Sequence, residues 1–272
     1  NILKESKAKI QITGSIYKSK NIEIISSTFR NEIKKPLVSV IDKPFPKEVE
    51  NYYSLNDYLS FAPYWWPDNS KKNGLPYIWR DGEWNPESSL YSYDSRNNDR
   101  TALQILFDRL TSLALTYLKE NDESIITYIA EQISYWFVNE ETKMNPHLKF
   151  AQVIRGNLKE NVKGLIDFKD IYYLLSAIKL IEKDLSRIEN FNILDFKYWL
   201  TEYYSWINNS NIGRKEACSL NNHTTCYLLQ KASIESYLGM ENKLFETFIC
   251  TFVFINNNIS DNGEQKEELR RK

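Results

Sequence analysis

Cysteine is scarce. The 272-residue chain has three, Cys218, Cys226 and Cys250, which excludes a disulfide framework and a zinc quartet and leaves room for one bridge at most. Glycine and proline number 8 each, too few to punctuate an all-β chain of many tight turns, so long helices are favoured. Neither sign of charge dominates. Lys and Arg total 35 against 36 Asp and Glu, a net charge of -1, which supplies no general attraction to nucleic acid or an anionic membrane. No apolar run approaches the roughly 18 to 20 residues of a membrane span. Motifs are missing too: there is no Gly-rich phosphate loop, paired metal-ligand motif or nucleophile elbow, so kinase, nucleotide-dependent and serine-hydrolase chemistries lose support. With 42% hydrophobic and 14% aromatic residues, the chain can still bury a substantial core.

The hydrophobic pattern that is present is helical. From Asp99 onward Leu103, Leu106, Phe107, Leu110, Leu113, Ala114 and Tyr117 form one stripe, and after a polar break at 120–123 a second follows at Ile126, Ile129, Ile133, Trp136 and Phe137. Their spacing predicts an antiparallel helical hairpin. The pattern recurs: Phe168, Ile171, Tyr172, Leu175 and Ile178 pair with Phe196, Trp199, Leu200, Tyr203 and Ile207, and Tyr227, Ile234 and Leu238 pair with Leu244, Phe245, Phe248, Phe252 and Ile255. Serial hairpins can close into a ring or stack as an open solenoid, and the repeat is too weak to choose. The segments 4–10 and 16–33 can supply one further pair.

Between these parts, residues 43–98 carry Pro44, Pro46, Pro63, Pro67, Pro76 and Pro86 among Tyr64, Trp65, Trp66, Tyr77, Trp79 and Trp84. A non-helical segment of that length inside a compact domain is usually functional, and flat aromatic faces with indole and phenol donors suit sugar rings. Arg80, Asp81 and Lys71 add polar contacts, while the plainer reading has the aromatics plug one end of the helical core. Only two histidines exist. His147, after Asn145-Pro146, reads as a satisfied loop residue. His223 sits in Asn221-Asn222-His223-Thr224-Thr225, a polar break before a helix expected near Cys226, where free N–H groups attract anions; the bland alternative is an Asn/Thr cap with an incidental imidazole.

The blocks 38–44, 57–67 (Asp-Tyr-Leu-Ser-Phe-Ala-Pro-Tyr-Trp-Trp-Pro), 74–77, 80–83 and 85–87, then Trp136-Phe137, Met144-Asn145-Pro146, Ala151-Gln152, Gly156, Gly164-Leu165-Ile166-Asp167 and Asn221-Asn222-His223, resemble in order those of the alginate lyase family along essentially the whole chain. The resemblance implies an all-α fold, an α/α toroid of antiparallel helical hairpins with a long aromatic, proline-rich loop, as a single domain over 1–272. It implies cleavage of alginate or a related uronate polymer by β-elimination without metal or organic cofactor, by a secreted or periplasmic monomer. Asn222 would polarise the sugar carboxylate, and His223 would neutralise it or act as the base. Arg271, in Glu268-Leu269-Arg270-Arg271, would be a second carboxylate partner. Tyr64, Trp65, Trp66, Arg80, Asn145 and Gln152 would bind substrate. The family's catalytic Tyr is expected a few residues beyond Arg271, and the chain stops at Lys272. The expectation is therefore an incomplete toroid missing its C-terminal helices, with non-catalytic polyuronate binding as the alternative.

Overall fold

In the computed structural model, the described residues are 29–42, 54–80, 82–85, 99–157 and 163–269. The helices are α1 (Asp99–Glu120), α2 (Glu123–Ile133), α3 (Ile171–Leu185), α4 (Ile193–Asn209), α5 (Asn211–Ala217), α6 (Asn222–Leu238), α7 (Glu241–Asn258) and the short α8 (Lys266–Leu269). Strands are few: β1 (Leu59–Phe61) pairs in parallel with β4 (Phe150–Val153), and β2 (Trp65–Trp66) pairs antiparallel with β3 (Ile78–Trp79). The fold is all-α, and none of the described helices is long and apolar enough to cross a membrane. The further helical pair expected from 4–10 and 16–33 falls mainly outside the described residues, which show there a 3-10 turn at Arg30–Lys34.

The first expected hairpin is present. All seven residues of the α1 stripe are buried, as are the five that follow in α2 and its π-helical continuation, Ser134–Val138. Asp122 breaks the two helices apart by accepting a hydrogen bond from Ser124 N, which satisfies an N–H that the first turn of α2 cannot bond internally. Across the top of this pair Arg109 is 8% exposed, bonded to Glu32, the Pro36 carbonyl and Tyr128, and the Gln132 side-chain amide bonds both backbone groups of Val38.

One helix-pairing expectation is corrected and another holds only in part. α3 does not chiefly pair with α4; it packs against α1 on one side and α6 on the other, and meets α4 through the Lys197–Glu182 ion pair. The reason lies in Phe168, Trp199 and Tyr203, whose rings contact one another in a central stack that keeps α4 on the side of the 3-10 turn Gly164–Phe168. α7 does pack on α6, yet only Leu244 and Thr247 are buried on it, while Phe245, Phe248, Phe252 and Ile255 are exposed. That stripe has the helical period of a core face, but among the described residues α7 packs chiefly on α6, with Lys243 reaching the Tyr204 ring of α4, and the stripe stays exposed.

Candidate active site

The site is assembled at the corner between α4, α5 and α6. Ser210 ends α4 and caps α5, its hydroxyl accepting from Gly213 N at 2.9 Å. Gly213 packs so closely on the end of α4 that a Cβ there would stand 1.8 Å from the Ile207 carbonyl oxygen, so only glycine permits this turn. Folded back in this way, α5 carries Glu216 into the interior. α6 begins at Asn222, capped by Asn221, whose side-chain oxygen accepts from His223 N at 3.0 Å. Asn222, His223, Thr224 and Thr225 are thus its first turn, not a break before a helix at Cys226. Thr224 locks the corner by donating to the Glu216 carbonyl at 3.0 Å.

His223 Nδ1 lies 2.8 Å from Glu216 Oε2, the imidazole 11% exposed and the carboxyl 1%. A carboxylate only accepts, so Nδ1 is the donor and Nε2 is the ring nitrogen left for a ligand. Asn222, beside it, is exposed. The imidazole therefore has an oriented partner behind it and an amide at its side, an arrangement able to hold a carboxylate or move a proton.

A second polar cluster adjoins the first. Asp167, at the end of the Gly164–Phe168 turn, is fully buried and accepts from Ser60 Oγ (2.5 Å), Gln152 Nε2 (2.8 Å) and Tyr58 OH (3.1 Å), with Arg100 at 3.5 Å. Gln152 sits on β4 with φ of +52°, its N–H bonded to Ser60 Oγ. The Gly164–Phe168 turn lies between β4 and α6: a Cβ on Gly164 would meet the Ala151 carbonyl at 2.3 Å, and Gln230 of α6 donates to the Leu165 carbonyl. Tyr203 feels both clusters. Burial foremost, then the acidic groups Glu216 and Asp167, push its phenol well above the usual range.

The aromatic segment forms a wall of its own. In the β2–β3 pair Trp65 faces Trp79 and Trp66 faces Ile78. Tyr64, Trp79 and Trp84 are exposed and Trp65 and Trp66 half-buried, so these rings form a surface and do not plug the core. Phe61, Trp65, Tyr77, Asn85 and Arg155 line a small hollow. Arg80 is anchored by its N–H to the Tyr64 carbonyl, its guanidinium over Trp66 and 3.3 Å from Glu83.

Asn145 stands in another group. Its amide donates to Asp57 Oδ1 at 2.7 Å and to Ser54 Oγ at 3.2 Å, and His147 Nε2 is 3.2 Å from the same Asp57 oxygen. Burial opposes the charged form of Asp57, but the hydrogen bonds from His147, Asn145 and Ser54 N outweigh it and hold the carboxyl below its usual range. Here Asn145 and His147 brace a loop. Arg271 lies outside the described residues. All three cysteines are free thiols, so the single bridge that the count allowed is not formed.

Sequence reasoning passed over Glu216 and Arg155. Glu216 meets His223 only because a glycine lets one helix turn sharply into the next, a contact that no periodicity registers.

The described residues define an all-α protein with a capped Asn-His corner at the start of α6, and the comparisons give the family. The family model described as Alginate lyase matches residues 46–272, and the chain belongs to the alginate lyase family. Its structure is similar to the crystal structure of an alginate lyase from Bacteroides ovatus, with 29% identity, a TM-score of 0.79, and coverage of 92% of this chain and 64% of that one. The chain thus spans less than two thirds of that protein's length. No curated protein matches it.

Proposed function

We propose that the protein is a polysaccharide lyase that cleaves alginate or a related uronate polymer by β-elimination. The observation that carries this reading is the His223–Glu216 pair beside an exposed Asn222. In a uronate the C5 hydrogen is only weakly acidic. Removing it requires that the C6 carboxylate be neutralised, that a base take the proton, and that the C4 oxygen leave with its electron pair and be protonated, forming a C4=C5 double bond. Asn222 donates its amide to the carboxylate. His223, held through Nδ1 by Glu216, offers Nε2 either as a donor to the same carboxylate or as the acceptor of the C5 proton. Arg271 is assigned as the second carboxylate partner, and Tyr64, Trp65, Trp66, Arg80, Asn145 and Gln152 as contacts along the sugar chain. Because its substrate is a polymer outside the cytosol, the protein works in a secreted or periplasmic location.

The test is to incubate the full natural polypeptide carrying this sequence with alginate and follow ultraviolet absorbance, since only elimination creates the conjugated unsaturated uronate. A steady rise supports the lyase. Sugar binding without any rise would reject it in favour of a non-catalytic polyuronate-binding protein.

A further inference from the structure

We infer that Arg155 is the anion-binding group of a carboxylate subsite in the aromatic wall, taking the carboxylate of one acidic sugar ring. The inference rests on the polyuronate reading above and adds to it a residue that the reading does not use. Arg155 follows β4 in a turn closed by Gly156, whose φ is +79° and where a Cβ would stand 2.7 Å from Pro76 Cα. The close approach is fastened by Tyr77 N, which donates to the Arg155 carbonyl at 2.9 Å. The arginine is therefore placed by backbone, with no acidic partner among the described residues. Its guanidinium carbon lies 4.4 Å from the Phe61 ring centroid and 5.7 Å from that of Tyr77, and its one side-chain hydrogen bond among the described residues, to Tyr77 OH, is long at 3.5 Å.

The other described arginines show why this is unusual. Arg30, Arg80, Arg100, Arg109 and Arg187 each have a carboxylate within 4.0 Å. Arg155 has none among the described residues, and neither has Arg214, but Arg214 is exposed to solvent. Arg155 is half-covered, laid on two aromatic faces at a hollow that Trp65 and Asn85 also line. A guanidinium presents five donors in a planar fork that matches a carboxylate bidentately, and apolar rings beside it displace competing water and leave the fork's edge outward. Trp65 and Tyr77 offer flat faces to the sugar ring that carries the carboxylate. A neutral sugar would gain the faces without the fork, so the subsite selects an acidic polymer by charge as well as by shape.

The experiment measures binding of an oligomannuronate and of its carboxyl-reduced, neutral counterpart by titration calorimetry, with wild type, Arg155→Ala and Arg155→Lys, thermal melts confirming the fold. Loss of a charge-assisted pair predicts that Arg155→Ala weakens the acidic oligomer about 10- to 100-fold. The neutral oligomer should be nearly unaffected, and Arg155→Lys, which keeps charge but not the fork, should fall between. Unchanged acidic affinity in folded Arg155→Ala would overturn the subsite. Equal losses for both oligomers would also overturn it, making Arg155 a clamp on the 75–77 segment. If Arg155→Ala does not fold, Arg155→Lys decides: wild-type discrimination between the oligomers would refute the bidentate subsite, and weakened discrimination would uphold it. The two proposals fail separately. A wild type that binds through Arg155 but forms no unsaturated product loses the lyase reading and keeps the subsite; one that forms product while Arg155→Ala binds normally does the reverse.

Discussion

Replacing Asp167 by Ala tests whether a buried carboxyl fastens the candidate site to the helical core. The side chain is fully buried and receives two hydroxyls and the Gln152 amide within 3.1 Å, with Arg100 at 3.5 Å. Ala leaves Tyr58, Ser60 and Gln152 with polar atoms facing a dry space, at roughly 1 to 3 kcal/mol each, and takes a carboxylate from Arg100. These terms share one network and do not simply add, so the expected loss is about 4 kcal/mol, or roughly 10 °C in Tm for a chain of this size. Asp167→Asn keeps one acceptor and should lose about half as much. Urea unfolding followed by circular dichroism measures both, with an unchanged m value showing that the native state stays compact. A loss below about 1 kcal/mol in the Ala variant would refute the reasoning, since it would mean that water or a rearranged partner satisfies these groups.

Two further outcomes follow from the same contacts. Because the folded-state pKa of Asp57 lies below its ordinary value of 3.8, the unfolded chain binds its proton first as pH falls; the stabilisation is complete above about pH 4 and is lost as pH drops through the folded value. Asp57→Asn should therefore lower stability at neutral pH and flatten its acid dependence, which urea midpoints at pH 7 and pH 3 will measure; parallel curves would contradict this. Burial pushes the Cys226 thiol up to about 11, while Cys218 and Cys250 are exposed. A thiol reagent at pH 8 should modify two cysteines quickly and Cys226 only slowly or on unfolding; three equal rates would contradict its burial.

How much of this was legible in the sequence depended on whether the physics was local. α1 and α2 could be read directly because both faces of each helix obey one rule: the apolar stripe is buried and the breaks carry a cap. The same rule found α7 and its packing on α6 but not the exposure of its apolar stripe, since a period of 3.6 fixes which residues share a face but not whether anything covers that face. The start of α6 was read four residues late because Asn221 lets a run of polar residues be helical, which hydrophobic spacing cannot register. Asn222 and His223 stood out by motif, whereas Glu216 and Asp167 act through contacts set by close approaches at Gly213 and Gly164. Asn145 stood out by motif as well, whereas the Asp57 and Ser54 oxygens that its amide meets are some ninety residues away in the chain.

The central claim is that the imidazole of His223 serves the removal of the sugar's C5 hydrogen. The most direct measurement compares His223→Ala with the wild-type protein, reading turnover on alginate by ultraviolet absorbance and oligomannuronate affinity by calorimetry. A role confined to the transition state predicts that turnover is abolished while affinity stays largely intact. Wild-type turnover in the folded variant would contradict the account.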